Sequence, residues 1–446
     1  VGDGHATGTL GGMGEITNNG TLAFNHSSND TLNRALTGTG NLQQMGSGTL
    51  TLDRRNSASD TENYEFTYSG KTQVSAGTMT LASHNHITTG VDVGATQQNG
   101  SAMFVIQGTA TVAGDVLLGK DAASHTQSDL TVDGATLSAE SIKRGEAQSN
   151  ATDVQIALTL KNNATLKVAR SEDSTATNAN HDQVALFEGF DTTRASPDTI
   201  QAGASASDTT TVEVDANVDA IQDQKASMTG SGTLKKTGAG TFVMNADNSA
   251  FTGTLSIEAG RVQLGNGQTL NDDAANKLLA GTGPISVAHN ASLAVNLAQG
   301  VTLHLDRNLT GAGTLVQAGA NTTEVTSTLG ITGGAFIEGG RLRLVDSANA
   351  FTGSSAVVNL GTSAEKKGIL EVNVSEGADV NMTFALEGKG DFEKTGAGTA
   401  HLVEGKTYTL EGTVKILNGE LEVDPGAIPQ SAGSILIGAN QANTTA

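Results

Sequence analysis

An all-β parallel solenoid is the fold this sequence predicts. Three observations point to it: a Gly-rich phrase that recurs along the chain, apolar residues that alternate, and an aliphatic core with few large aromatics. Of 446 residues, 37% are hydrophobic but only 3% are aromatic, and Trp is absent. Val, Leu, Ile and Ala must build the core, which suits the narrow interior of a coil. The 56 glycines against 4 prolines follow no collagen period. With the many Thr, Val, Asn and Asp residues they read as short strands cut by frequent turns.

The recurring phrase is apolar-x-Gly-x-Gly-x-apolar, followed by a second Gly cluster. It stands at 10–24 (LGGMGEITNNGTLAF), 36–52 (LTGTGNLQQMGSGTLTL), 228–244 (MTGSGTLKKTGAGTFVM), 309–325 (LTGAGTLVQAGANTTEV) and 386–402 (LEGKGDFEKTGAGTAHL). A second phrase follows at 66–81 (FTYSGKTQVSAGTMTL), 251–264 (FTGTLSIEAGRVQL), 331–344 (ITGGAFIEGGRLRL) and 408–423 (YTLEGTVKILNGELEV). Alternation with period two marks strands with one buried face. The plainer stretches 130–139, 160–169, 285–295 and 370–380 each read as strand, tight turn, strand. Only NDDAANKLLA, 271–280, has an Asn/Asp start and apolar residues toward its end, which predicts one short helix.

A coil of roughly 20–25 residues cannot bury its inner face alone, so coils must stack. At about 4.8 Å per coil this predicts roughly 20 coils and a rod on the order of 100 Å long. Glycines fall at corners, with Leu234 and Phe242 pointing inward and Lys235 and Lys236 on alternate sides. Four polar segments exceed a tight corner: 53–65, 143–153, 170–183 and 191–211. They are expected to protrude from one edge and wall a groove, or to be tolerated insertions.

Charge and motifs narrow the chemistry. A formal charge of −21 disfavours nucleic acid and anionic membranes. No Cys is available for disulfides or for Cys-based zinc sites. No apolar run reaches the about 18 residues needed to span a bilayer, and aromatic girdles are missing. The opening VGDGHATGTLGG is not a signal peptide, so an exported chain would have lost its leader.

SGKT at 69–72 lacks the earlier Gly of a phosphate loop, since Glu65 stands there. GGMGEIT at 11–17 is one loose match to a calcium β-roll repeat, with Glu15 in the Asp position. His84 and His86 have no third metal ligand fixed by sequence and read as turn histidines. The adjacent pair Asp272–Asp273 suits a helix start better than glycoside hydrolysis, and no Ser-nucleophile setting occurs. The expectation is therefore a non-enzymatic chain with no cofactor and no metal.

What remains is basic residues on loops. Arg54, Arg55, Lys143, Arg144, Arg170 and Arg194 are the candidate ligand-binding residues. Local cations can grip sulfate or carboxylate groups of acidic glycans. The competing reading is that they neutralise neighbouring carboxylates.

The paired phrases GSGTLKKTGAGTF and FTGTLSIEAGRVQLG resemble the passenger-associated repeat of bacterial type V autotransporters, best the AIDA-type adhesins. The resemblance lies toward the two ends; residues 82–227 carry only the generic strand–turn–strand pattern. It implies a right-handed parallel β-helix over 1–446 as one passenger domain, with 309–446 as coils that stabilise and nucleate folding. It also implies export to the bacterial cell surface, with possible release, and a C-terminal membrane β-barrel of the precursor as partner. The size and loop-bearing coils resemble UpaB-type passengers, which implies binding of host matrix glycans and glycoproteins, namely glycosaminoglycans and fibronectin. Self-association on neighbouring cells, giving aggregation and biofilm, is the alternative. The family shares no binding motif, so no binding residue is carried over.

Overall fold

A computed structural model describes residues 1–438 apart from 9, 13, 140, 170–181, 280–282, 327–328, 347–350, 352–355, 364, 428 and 430–432. The described chain is a right-handed parallel β-helix of about 16 turns. Every strand pairing among the described residues is parallel. The expected 20 coils are too many, because several turns carry long loops and consume more residues than a minimal coil. The chain divides into two compact units, residues 1–242 with 246–253, and 243–245 with 254–446.

In the first unit each turn contributes strands to three faces. The first face holds Thr21–Phe24, Asn41–Gln44, Thr72–Val74, Val91–Val93, Val116–Leu118 and Ile142–Arg144. The second runs from Asp30–Leu32 through Thr49–Leu52, Gly77–Leu81, Ser101–Gln107, Thr126–Asp133, Val154–Lys161 and Thr199–Ala202 to Met228–Thr229. The third begins with Tyr64–Phe66, Asn85–Ile87 and Thr111–Val112 and continues with Thr136–Leu137, Thr165–Val168, Thr209–Val214 and Thr233–Thr237. The predicted alternation is literal: Val154–Lys161 runs buried and half-buried in strict turn. Its inward Leu158 stacks in register on Leu130, so each aliphatic row becomes a continuous column of core.

The second unit is built the same way. One sheet holds Arg261–Leu264, Ser292–Val295, Thr314–Gln317, Ala335–Ile337, Val357–Asn359, Ala385–Gly388 and Tyr408–Leu410. Another holds Thr302–Leu305, Thr322–Val325, Arg341–Val345, Ile369–Asn373, Asp391–Thr395, Thr413–Ile416 and Ser434–Ile437. The predicted helix is present over Asp272–Lys277, where the Asn271 side chain accepts from the Ala274 N–H. Asp272 and Asp273 lie in its first turn and Lys277 in its last, as the helix dipole favours. It packs against Thr302–Leu305.

The Gly phrases are corners, as expected. Gly238 has φ +72, and a Cβ there would lie 2.2 Å from the Val214 carbonyl oxygen. Gly396, its counterpart in the last copy, has φ +71 and would meet the Val374 carbonyl at 2.1 Å. Only glycine meets both demands, a left-handed backbone and a coil packed directly against it.

Candidate functional site

The predicted loops do not share one edge. Residues 145–153 connect the first face to the second, whereas 53–63 connect the second to the third. They therefore emerge at different corners. Segment 191–211 is not one loop either: it contains the strand Thr199–Ala202, which pairs with Val154–Lys161. Its Thr and Gln face outward, which gave the strand the polar look of a loop. Most of 170–183 lies outside the described residues, and so does Arg170.

At the corner between the first and second faces, loops of successive turns stack. Asp121 N–H donates to the Glu146 carbonyl and Gln148 N–H to the Ala122 carbonyl. The next turn adds residues 187–198. Arg144, at the end of its strand, places Nη1 at 2.6 and 2.8 Å from the two Asp198 carboxylate oxygens. Its Nη2 donates to the Val154 carbonyl at 2.6 Å. Asp198 is fully buried and also accepts from the Asp191 and Ile156 N–H groups. Arg144 is thus a clamp holding one loop to the neighbouring turn. Arg194 reaches the same carboxylate at 4.0 Å with its side chain 37% exposed. Lys143 pairs with Asp115 at 3.0 Å and is 34% exposed. Beside them Asp191 pairs with Lys225 at 3.1 Å. The Thr193 hydroxyl, then the Thr193 N–H and Lys225, hold the Asp191 carboxyl down at about 2.

At the other corner Arg55 forms a two-pronged pair with Asp53, both bonds 2.9 Å. Burial pushes the Asp53 carboxyl up, but the Arg55 bonds outweigh it and leave it below its ordinary value. Arg54 lies over the Tyr64 ring, 5.4 Å from its centroid, and donates to the Glu65 carbonyl. Asp60 gathers the loop by accepting from Asn56 N–H, Glu62 N–H and the Tyr64 hydroxyl. Five of the six sequence candidates are therefore described. The structure brings Arg144 and Arg194 together on Asp198, and places Arg54 and Arg55 at a separate corner.

Of the histidines, His86 packs against Thr111, its Nδ1 2.7 Å from the hydroxyl, and burial lowers its pKa. Among the described residues no group of three His, Cys, Asp or Glu is arranged for a metal, and no helix is long and apolar enough to cross a membrane.

Two arrangements escaped the sequence. The first is an inward polar side chain just before the Gly corner of the main phrase. Lys236 is fully buried, and its Nζ donates to the Thr237 and Gly238 carbonyls at 2.6 and 2.9 Å. Lys394 does the same to Thr395 and Gly396, and also to Asn418. Gln44 and Gln317 hold the equivalent place, donating to the Gly46 and Gly319 carbonyls. Recurrence of Lys or Gln at one position of the phrase was the available signal.

The second is a ladder of charges across successive turns of the second unit. Glu324, Arg343, Glu371, Glu393 and Lys415 fall in one register row. Arg341, one row over, reaches both Glu371 and Glu393 at 2.6 Å. Arg343 bonds Glu371 at 2.9 Å, and Lys415 bonds Glu393 at 3.0 Å.

Residues 42–81 and 234–264 match the passenger-associated-transport-repeat family. Over 170 residues, 35% of this chain and 5% of the relative, the sequence is 26% identical to the adhesin BmaC autotransporter of Brucella suis biovar 1 (strain 1330). Over 44 residues, 10% of this chain and 4% of the relative, it is 50% identical to the probable autotransporter YfaL of Escherichia coli (strain K12). The chain thus covers a small fraction of the length of either relative. No solved structure matches it. The transport repeats, set at glycine corners of a parallel β-helix, and the two autotransporter relatives support the class of a type V autotransporter passenger. Such a chain is surface-exposed and exported through the outer membrane.

Proposed function

We propose that this passenger is a non-enzymatic cell-surface adhesin that binds host extracellular matrix components, namely acidic glycans such as glycosaminoglycans, and fibronectin. The observation that carries the reading is the pairing of transport repeats with a β-helix whose extra residues form ordered, cation-bearing loops. Lys143 and Arg194 keep about a third of their side chains in solvent next to a rigid clamp. A sulfate or carboxylate of a glycan competes there with Asp115 and Asp198, and the fixed backbone limits the ordering cost. One relative bears the name adhesin. The membrane β-barrel of the precursor is the intramolecular partner during export. Residues 309–446 act as the stabilising, folding-nucleating coils, a role the charge ladder supports.

Surface plasmon resonance on immobilised heparin and on fibronectin tests the binding. Lys143→Glu combined with Arg194→Glu is expected to weaken heparin binding by about tenfold or more. Arg144 is left intact because its loss would expose the buried Asp198. Wild-type protein that binds neither surface sinks the reading, whereas equal binding by the variant clears these loops. Settling of expressing cells without matrix binding would favour self-association instead.

A further inference from the structure

One outward surface of the second unit differs from the rest. Phe336 is 43% exposed and is the one aromatic among the exposed large hydrophobic side chains of the described residues. It stands in the register row Val316, Phe336, Asn359, Glu387 and Thr409, one residue per turn, of which Val316 is buried and the others reach the surface. Shallow hollows lie on either side of it. One, of about 400 Å³, is floored by Ser292, Thr314 and Val316 and rimmed by Arg261 and Glu338. The other, of about 350 Å³, is lined by Asn359, Thr362, Glu387, Lys389, Thr409 and Glu411. A small recess of about 30 Å³ beside Lys366 shares Phe336 and Glu338 with the first hollow and Asn359 and Thr362 with the second.

We propose that this groove is a second binding site, a track for a neutral, linear, β-linked oligosaccharide with one hexose stacked on Phe336. The chemistry selects that ligand. An exposed ring offers an apolar platform to the C–H face of a hexose, while amide, hydroxyl and carboxylate groups on both sides take its hydroxyls. The charges balance: Arg261, Lys366 and Lys389 stand against Glu338, Glu387 and Glu411. A polyanion gains nothing from such a charge-balanced surface. Spacing agrees as well, because the turns repeat at about 4.8 Å, close to the length of one β-linked hexose. Part of the polar lining is already positioned: Asn359 Nδ2 donates to Glu387 Oε1 at 2.8 Å, and Asn359 Oδ1 accepts from the Gly361 N–H at 2.9 Å. Lys389 lies 3.4 Å from Glu411.

The inference rests on the adhesin reading for its ligand class but uses a different surface. The test applies the full chain to immobilised cellohexaose, chitohexaose and lacto-N-tetraose, with heparin alongside. Wild-type protein is expected to retain at least one neutral oligosaccharide. Phe336→Ala should lose about tenfold in affinity for it, Phe336→Trp should keep it, and both should bind heparin as wild type does. Because the ring is exposed, the variants should melt at the wild-type temperature, which circular dichroism checks. Failure of wild type to retain any of the three neutral probes overturns the proposal. Unchanged affinity in Phe336→Ala also overturns it. So does a concentration-dependent dimer that Phe336→Ala abolishes, because the face would then join copies of this chain. Loss of heparin binding alone would strike the loop reading and leave this one standing.

Discussion

Lys236 and Lys394 show how a charged residue becomes part of a corner. Each stands one residue before the end of its strand and points inward, beside the carbonyls of the tight Gly turn. The ammonium donates to two of these carbonyls in each case. Burial is the larger effect on Lys236 and pushes its pKa down to about 8, the nearby Glu213 opposing weakly. A base with a depressed native pKa holds fewer protons folded than unfolded between about pH 8 and its ordinary 10.5. Stability must therefore rise with pH across that window. Gln does the same work at positions 44 and 317, so Lys236→Gln should stay within about 1 kcal/mol of wild type and abolish that rise. Lys236→Ala removes both bonds to the Thr237 and Gly238 carbonyls and should cost about 1–3 kcal/mol. Urea titrations from about pH 7 to about pH 10 read both effects.

At the scale of the element, the charge ladder couples strands that parallel pairing alone would let slip. Burial pushes the Glu371 carboxyl up, but bonds from Thr395 and Arg343 and the charges of Arg341 and Arg343 prevail and hold it below its ordinary 4.5. Asp391 is likewise depressed, its burial outweighed by the Thr413 N–H and Lys415. Their stabilising contribution is complete above pH 4.5 and is lost as pH falls through the depressed values. Thermal melts in acid should show this loss, and Glu371→Gln should flatten it. At neutral pH the same substitution leaves Arg341 paired only with Glu393 and Arg343 only with Glu324, and with both guanidinium groups partly exposed it should cost about 1–2 kcal/mol. Strands, corners and the short helix were legible in the sequence because each rests on local chemistry: alternation, glycine at positive φ, an Asn cap. The ladder was not, because Glu324, Arg343, Glu371, Glu393 and Lys415 are separated by unequal loops. Their meeting depends on register rather than spacing. The same reason hid the corner at which each loop emerges, and the clamp of Arg144 on Asp198.

At the scale of the whole molecule, a solenoid is held by the interfaces between successive turns, so its stability is close to a sum of turn and interface terms. Folding can then begin wherever the interfaces are strongest and propagate from there. The ladder spans Thr322–Val325 to Thr413–Ile416, inside the proposed nucleating coils. Native-state hydrogen exchange on the full chain should find the amides of Ile369–Asn373 and Asp391–Thr395 among the slowest. Fast exchange there, with the slowest amides confined to residues 1–242, would remove the nucleating role. By itself, the sequence determined the parallel β-helix, its glycine corners and its resemblance to an exported passenger, since these follow from patterns a few residues long. Tertiary structure alone decided which cations are clamped and which face solvent, and which outward side chains line a groove. Those outcomes depend on stacking residues tens of positions apart in one register, which no local pattern encodes.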